Sequence, residues 1–252
     1  MKGGGSPGQA GTRRCPVSGN SYYRFVAVRT VIFDWGGTLT PWHTIDHEIL
    51  WHEVCEPHFP AGRADDVARA FCAAERAVWA TIDRSQQSGT LAQVFELAQV
   101  TATDGILASY FQAWEPHTLT DPEAPPLLRE LRRRNIRIGV LSNTLWPRSA
   151  HERCFVRDQV LDLIDGAVYS SEIPWTKPHP EAFRAAMAAV GEDDPTSCVF
   201  VGDRPYDDVH GAKGVGMRAV LIPNDDVPSY GAAVPDAVIT RLSELLPYID
   251  QW

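Results

Sequence analysis

The stretch Val31-Ile32-Phe33-Asp34-Trp35-Gly36-Gly37-Thr38-Leu39-Thr40 decides how the whole chain is read. An apolar run ends in a lone carboxylate, and two glycines and a threonine follow almost at once. The pattern predicts a buried strand that delivers Asp34 to a tight loop rich in accessible main-chain groups. In α/β proteins such loops lie at the carboxyl edge of the sheet, where ligands bind, and glycines there let backbone N–H groups approach an anion closely. Asp34 is a candidate nucleophile if partners of suitable chemistry end other apolar strands.

Downstream of Thr40 the sequence turns helical and stays so to about Trp114. Ile45 and Ile49 begin one apolar stripe. Val67, Phe71, Ala74, Val78 and Ile82 make a second, Leu91, Val94, Phe95 and Ala98 a third, and Ile106, Leu107, Tyr110, Phe111 and Trp114 a fourth. Four helices with no strand between them do not belong inside a parallel sheet, so residues 41–120 are expected to form a helical domain inserted directly after the first strand. Beyond it an alternating rhythm resumes, with strands at Arg137–Leu141, Gly166–Ser170, Cys198–Val201, Arg218–Ile222 and Ala237–Ile239 and helices between them. Strands alternating with helices imply parallel order, hence an α/β, doubly wound parallel sheet built from residues 22–40 and 121–252. Upstream, residues 1–21 are rich in Gly, Ser and Pro without periodicity and read as a flexible tail.

Three later strands end in the partners that Asp34 needs. Ser142 and Asn143 follow one, a hydroxyl and an amide suited to phosphoryl oxygens. Lys177, in Trp175-Thr176-Lys177-Pro178-His179-Pro180, can neutralise an anion, and the prolines fix its loop. Gly202-Asp203-Arg204-Pro205-Tyr206-Asp207-Asp208 follows another. Asp34 and Asp203, carboxylates ending different strands, make a hard oxygen site suited to magnesium.

Totals narrow the function classes. With 252 residues and 44% hydrophobic content the chain can bury one sizeable core plus a smaller insert. A formal net charge of −9 argues against a nucleic-acid binder and leaves small-molecule chemistry as the better reading. Five scattered cysteines with no C-x-x-C pair suggest neither a disulfide framework nor a cysteine zinc site, and fit a reducing, cytoplasmic setting. No signal peptide is evident, and no apolar run approaches the ~18 residues that a membrane span needs.

Taken in this order, the residues resemble the haloacid dehalogenase superfamily, most of whose members are Mg²⁺-dependent phosphatases. The resemblance covers about residues 26–247. It implies a Rossmann-like core with a helical cap inserted after the first strand, a small phosphorylated metabolite as substrate and Mg²⁺ as cofactor. In that reading Asp34 is the nucleophile that forms an aspartyl-phosphate, and Lys177 acts with it. Trp35, Ser142, Asn143 and Lys177 hold the phosphoryl group. Asp34, Asp203 and the Gly36 carbonyl bind the metal, and Asp208 supports the metal's outer shell and Lys177.

One departure matters. Most family phosphatases carry a second aspartate two residues after the nucleophile, as general acid and base, where this chain has Gly36. Such groups contribute about 10²- to 10⁴-fold in rate, so ordinary ester hydrolysis should suffer unless another group serves. His43 and His47, from the start of the insert, are the candidate substitutes, because histidine titrates near neutral pH. The alternatives are a silenced relative that binds a phosphorylated ligand or partner, and C–P or C–halogen hydrolysis. Phosphonate-cleaving relatives need a cap lysine, and the only lysines are Lys2, Lys177 and Lys213. The tryptophans, three of them beside the motifs at Trp35, Trp146 and Trp175, are expected to pack cap against core.

Overall fold

The computed structural model describes residues 27–224 and 233–252, with Met1, Gly3 and Gly4. Nearly all of the tail expected over residues 1–21, Cys15 included, lies outside the described residues, as do residues 22–26 at the start of the expected core. Six strands form one sheet in the order β3-β2-β1-β4-β5-β6, every neighbouring pair parallel. They are β1 (Thr30–Phe33), β2 (Arg137–Ser142), β3 (Gly166–Tyr169), β4 (Cys198–Gly202), β5 (Arg218–Leu221) and β6 (Ala237–Val238). The order reverses at β1, so loops leaving β1 and its two neighbours open the crevice in which doubly wound sheets bind ligands.

β1 is buried along its whole length because it has a strand on each side and helices on both faces. Its side chains alternate. Val31 and Phe33 join one cluster with Leu127, Leu128, Leu131, Phe155 and Leu245, while Ile32 joins another with Phe183, Met187 and Phe200. The first cluster is covered by α5 (Ala124–Arg133), α6 (Arg148–Arg157) and α9 (Leu245–Ile249), the second by α7 (Pro180–Ala189) and α8 (Gly211–Val215). Pro180 opens α7 at the position where its missing N–H costs nothing.

Between β1 and α5 run the four helices anticipated from the apolar stripes: α1 (His47–Cys55), α2 (Ala61–Ser85), α3 (Leu91–Leu97) and α4 (Asp104–Trp114). Side chains cap three of them. Asp46 accepts from the Glu48 and Ile49 N–H groups, Thr90 and Gln93 form a reciprocal capping box, and Thr103 accepts from Ile106. The expectation for α1 needs correction: Ile49 is 58% exposed, and the buried face is Leu50, Trp51, Val54 and Cys55. The insert has its own core, where Trp51 stacks on Phe71 at 4.2 Å and Phe95 and Tyr110 close around them. Burying Phe71 and Phe95 contributes roughly 1.5–3 kcal/mol each. That core does not stop at the insert. Leu145, Trp146 and Ala150, from the segment after β2, belong to it, and Trp146 Nε1 donates to Tyr110 Oη at 2.9 Å.

Candidate active site

Asp34 leaves β1 at the sheet's carboxyl edge, and its N–H donates to Val201 O at 2.8 Å, which fixes it beside the end of β4. Phe33 pairs in register with Val140 and Val201, so Ser142 and Asp203 stand two residues beyond those partners at the same edge. Asp34, Ser142, Lys177, Asp203 and Asp208 are all buried.

Lys177 is the hub. Its Nζ lies 2.8 Å from Asp34 Oδ1 and donates to Asp208 Oδ1 at 2.7 Å. Burial works against its charge, yet the Asp208 and Asp34 carboxylates outweigh it and hold the lysine above its ordinary pKa. The other Asp208 oxygen accepts from the Arg204 N–H at 2.8 Å. Its neighbour Asp207 turns away toward Arg204, with 3.9 Å between them. Asn143 spends its amide on the Lys177 main chain: Nδ2 donates to Lys177 O at 2.9 Å, and Oδ1 accepts from Lys177 N at 2.8 Å.

Asp203 has no such partners. It is fully buried, and among the described residues neither carboxylate oxygen has a hydrogen bond. Burial first, then the charges of Asp34 and Asp208, push its pKa well above the usual carboxylate range. Asp34, Asp203 and Asp208 each offer an oxygen within 4.8 Å of the others.

The glycines of the site differ in why they are glycines. A Cβ on Gly37 would stand 2.5 Å from Asp203 Oδ2, and its φ of +82° is one that residues with a side chain rarely adopt. A Cβ on Gly202 would meet Asp208 Oδ2 at 2.2 Å. A Cβ on Gly36 would meet nothing within 4 Å.

The chain matches the haloacid dehalogenase-like hydrolase family over residues 28–216. It belongs to that family. Among curated relatives, a phosphatase from Mycobacterium tuberculosis is 37% identical over 130 residues, covering 51% of this chain and 55% of that protein. A phosphoserine phosphatase from Thermus thermophilus is 34% identical over 124 residues, 49% of each chain. The chain thus spans about half the length of these relatives. A HAD phosphatase structure from Thermococcus onnurineus superposes with a TM-score of 0.64 at 23% identity, covering 88% of this chain and 98% of that one. L-2-haloacid dehalogenase from Xanthobacter autotrophicus gives 0.61 at 19% identity, with the same coverage. At these identities the structures share the fold of the family.

The fold therefore gathers Asp34, Ser142, Asn143, Lys177, Asp203 and Asp208, drawn from four segments far apart in the sequence. Trp35 turns its ring against Trp146 (centroids 5.6 Å) and edge-on to His151 (4.4 Å), and its buried Nε1 has no partner among the described residues. His43 and His47 stand apart: among the described residues neither makes a hydrogen bond or ion pair with Asp34, Lys177 or Asp203. His43 faces His117, ring centroids 5.2 Å apart. His47 Nδ1 pairs with Glu75 Oε2 at 2.9 Å, which raises its pKa against the opposing effect of burial.

Two partners carried no signal in the pattern. Glu75 lies on the buried face of α2 and also accepts from Trp51 Nε1 at 2.9 Å. His151 is fully buried behind Trp35, stacked on Tyr169 at 4.3 Å, with Nε2 on Thr144 Oγ1 at 3.0 Å. A single glutamate or histidine amid alanines and arginines on an amphipathic helix looks like any solvated residue.

Proposed function

We propose that this chain is a Mg²⁺-dependent phosphatase acting on a small phosphorylated metabolite, with Asp34 as phosphoryl acceptor and the helical insert as a cap. The observation that carries this reading is Asp203. A fully buried carboxylate with no donor on either oxygen is strongly unfavourable unless a cation accompanies it. The donor set is all oxygen, which suits a hard ion such as Mg²⁺. Asp34, Asp203 and the Gly36 carbonyl would hold it, with Asp208 behind them. Bound there, the ion would offset charge on the phosphoryl oxygens.

The rest falls to the chain's own residues. An Asp34 carboxylate oxygen attacks phosphorus, and the P–O bond to the leaving group breaks as the acyl phosphate forms. Lys177, held cationic by Asp208, neutralises charge on the phosphoryl oxygens, and the Ser142 hydroxyl donates to them. Asn143 keeps the lysine's main chain in place. Water then hydrolyses the acyl phosphate and regenerates Asp34. With Gly36 offering no proton, the leaving oxygen must be a weak base or take a proton from elsewhere. His47, whose pKa Glu75 raises, is the donor that the insert would have to bring to that oxygen. The names of relatives support the substrate class: phosphoserine, glyceraldehyde 3-phosphate and phosphoglycolate phosphatases. Four described cysteines are free, in keeping with a reducing, cytoplasmic setting.

Gly36 favours one second reading, a relative that binds a phosphorylated ligand without turning it over. A panel of phosphorylated metabolites assayed with and without Mg²⁺ separates the two. The phosphatase reading expects metal-dependent phosphate release that Asp34→Asn abolishes. Stabilisation by Mg²⁺ and BeF₃⁻ with no turnover of any ester would favour the binder. Phosphonate cleavage through a cap lysine lacks its residue, since no lysine lies between residues 41 and 120.

A further inference from the structure

The turn between α2 and α3 carries no group of the catalytic set, yet it is joined to the segment that carries Lys177. Gln86 ends α2 in the left-handed conformation, with φ 55°. The chain then runs antiparallel to Pro174–Thr176, with Gln87 opposite Trp175. Ser88 N donates to Pro174 O at 3.0 Å, Thr176 N to Gln86 O at 3.0 Å, and Thr176 Oγ1 to the same oxygen at 3.4 Å. Leu91 N adds a second clip, donating to Leu145 O at 2.7 Å. Gly89 makes the turn tight: a Cβ there would stand 2.7 Å from Val78 on α2.

Thr176 is 1% exposed and directly precedes Lys177, whose own N–H and carbonyl are both taken by Asn143. The peptide that aims Lys177 Nζ between Asp34 and Asp208 is thus tied on one side to the end of β2 and on the other to the insert.

We infer that the Gln86–Ser88 turn is a positioning strap for Lys177, so that seating the helical insert also sets the lysine that completes the Asp34 site. This rests on the reading of Asp34 and Lys177 as the reacting pair. The strap acts chiefly through main-chain pairing, with the Thr176 hydroxyl added on the Gln86 carbonyl, so its contribution is geometric. A displacement of about 1 Å at a catalytic group can lower turnover by roughly a hundredfold.

Two perturbations of the full chain test it. Ser88→Pro removes the donor to Pro174. The expected result is a kcat lowered at least about tenfold with KM changed less than about threefold, and faster hydrogen exchange at the Thr176 and Lys177 amides. Gln87→Cys with Trp175→Cys acts in the opposite sense. The two face each other as a non-hydrogen-bonded antiparallel pair, with Cα atoms typically about 4.5 Å apart, which a disulfide can span. Once the bridge is verified by mass, the oxidised form should exchange those amides more slowly than the reduced form and keep at least its kcat. Unchanged exchange in Ser88→Pro overturns the strap. So does a tenfold fall in kcat on oxidation, which would mean that Lys177 works with the strap undone. Hydrogen exchange needs no turnover. A protein that hydrolyses no phosphate ester would therefore sink the phosphatase reading while the strap was still decided.

Discussion

Replacing Asp203 by asparagine should stabilise the metal-free protein while abolishing its response to Mg²⁺. In wild type the carboxylate is fully buried, has no hydrogen bond on either oxygen among the described residues, and faces the charges of Asp34 and Asp208. Because its folded pKa is raised above the unfolded value, the folded state holds a proton that the unfolded state releases. The penalty is therefore absent below the usual carboxylate pKa and grows as pH rises toward the shifted value. An uncompensated buried charge costs on the order of 3–5 kcal/mol. An amide of the same shape removes the repulsion and can donate to Asp34 or Asp208, so the variant should gain on the order of 2–4 kcal/mol in EDTA at pH 7–8. For a chain of this size that is roughly 5–15 °C in Tm. Wild type should recover by about 2.7 kcal/mol when Mg²⁺ reaches a hundred times its Kd, and Asp203→Asn should not. Thermal unfolding in EDTA and in Mg²⁺, at pH 5 and at pH 8, reads all of this. A variant less stable than wild type in EDTA, or one that still gains from Mg²⁺, would refute the view of Asp203 as a carboxylate waiting for a cation.

Other outcomes follow from the same geometry. Gly36→Asp meets open space, so it should fold normally and raise hydrolysis of poor-leaving-group esters by about 10²-fold or more, whereas Gly37→Ala should lose Mg²⁺ binding through its clash with Asp203. Steady-state rates on alkyl and aryl phosphates check the first, and the Mg²⁺ thermal shift checks the second. His151 is held to a pKa of about 3 by burial and by Arg148. The unfolded chain binds a proton below about pH 6.5 that the fold refuses, so stability should fall by about 1.4 kcal/mol per pH unit from there toward the folded value. His151→Phe should flatten that slope in urea titrations between pH 6.5 and 4.5, and an unchanged slope would place the acid sensitivity elsewhere. If His47 protonates the leaving group, His47→Gln should remove the basic limb of the pH–rate profile for alkyl phosphates and leave good leaving groups nearly unaffected.

Much of this architecture could be read before any coordinates. Strand ends are legible because an apolar run that stops at Asp34, Ser142 or Asp203 states both its burial and its functional edge. Helical periodicity located α2, α3 and α4. It misassigned α1, where isoleucines spaced four apart outweighed the Leu50, Trp51 and Val54 face that is buried. A wide π-type turn over Pro205–His210, which no residue pattern marked, leads into α8 and carries Asp208 inward to Lys177 and the Arg204 N–H. What stayed hidden was pairing across the chain. Glu75 with His47, Asn143 with the Lys177 backbone, and Gln86–Ser88 with Pro174–Thr176 are contacts between segments that carry no mark of one another. Main-chain pairing in particular is indifferent to side-chain identity, so no residue pattern announces it.

The shared packing of Leu145, Trp146 and Ala150 with the insert has a consequence for modularity. The insert is continuous in sequence between β1 and α5, which invites treating it as an exchangeable cassette. Its hydrophobic interior is not continuous in the same way. Excising residues 41–120 would strip cover from Trp146, and grafting them elsewhere would leave the Tyr110 hydroxyl without the Trp146 indole N–H that donates to it. A chimera that moves the Leu145–Ala150 segment along with the helices should fold where one cut at the sequence boundaries aggregates. The unit of transfer in this protein is a packed cluster, with edges that the order of residues along the chain does not draw.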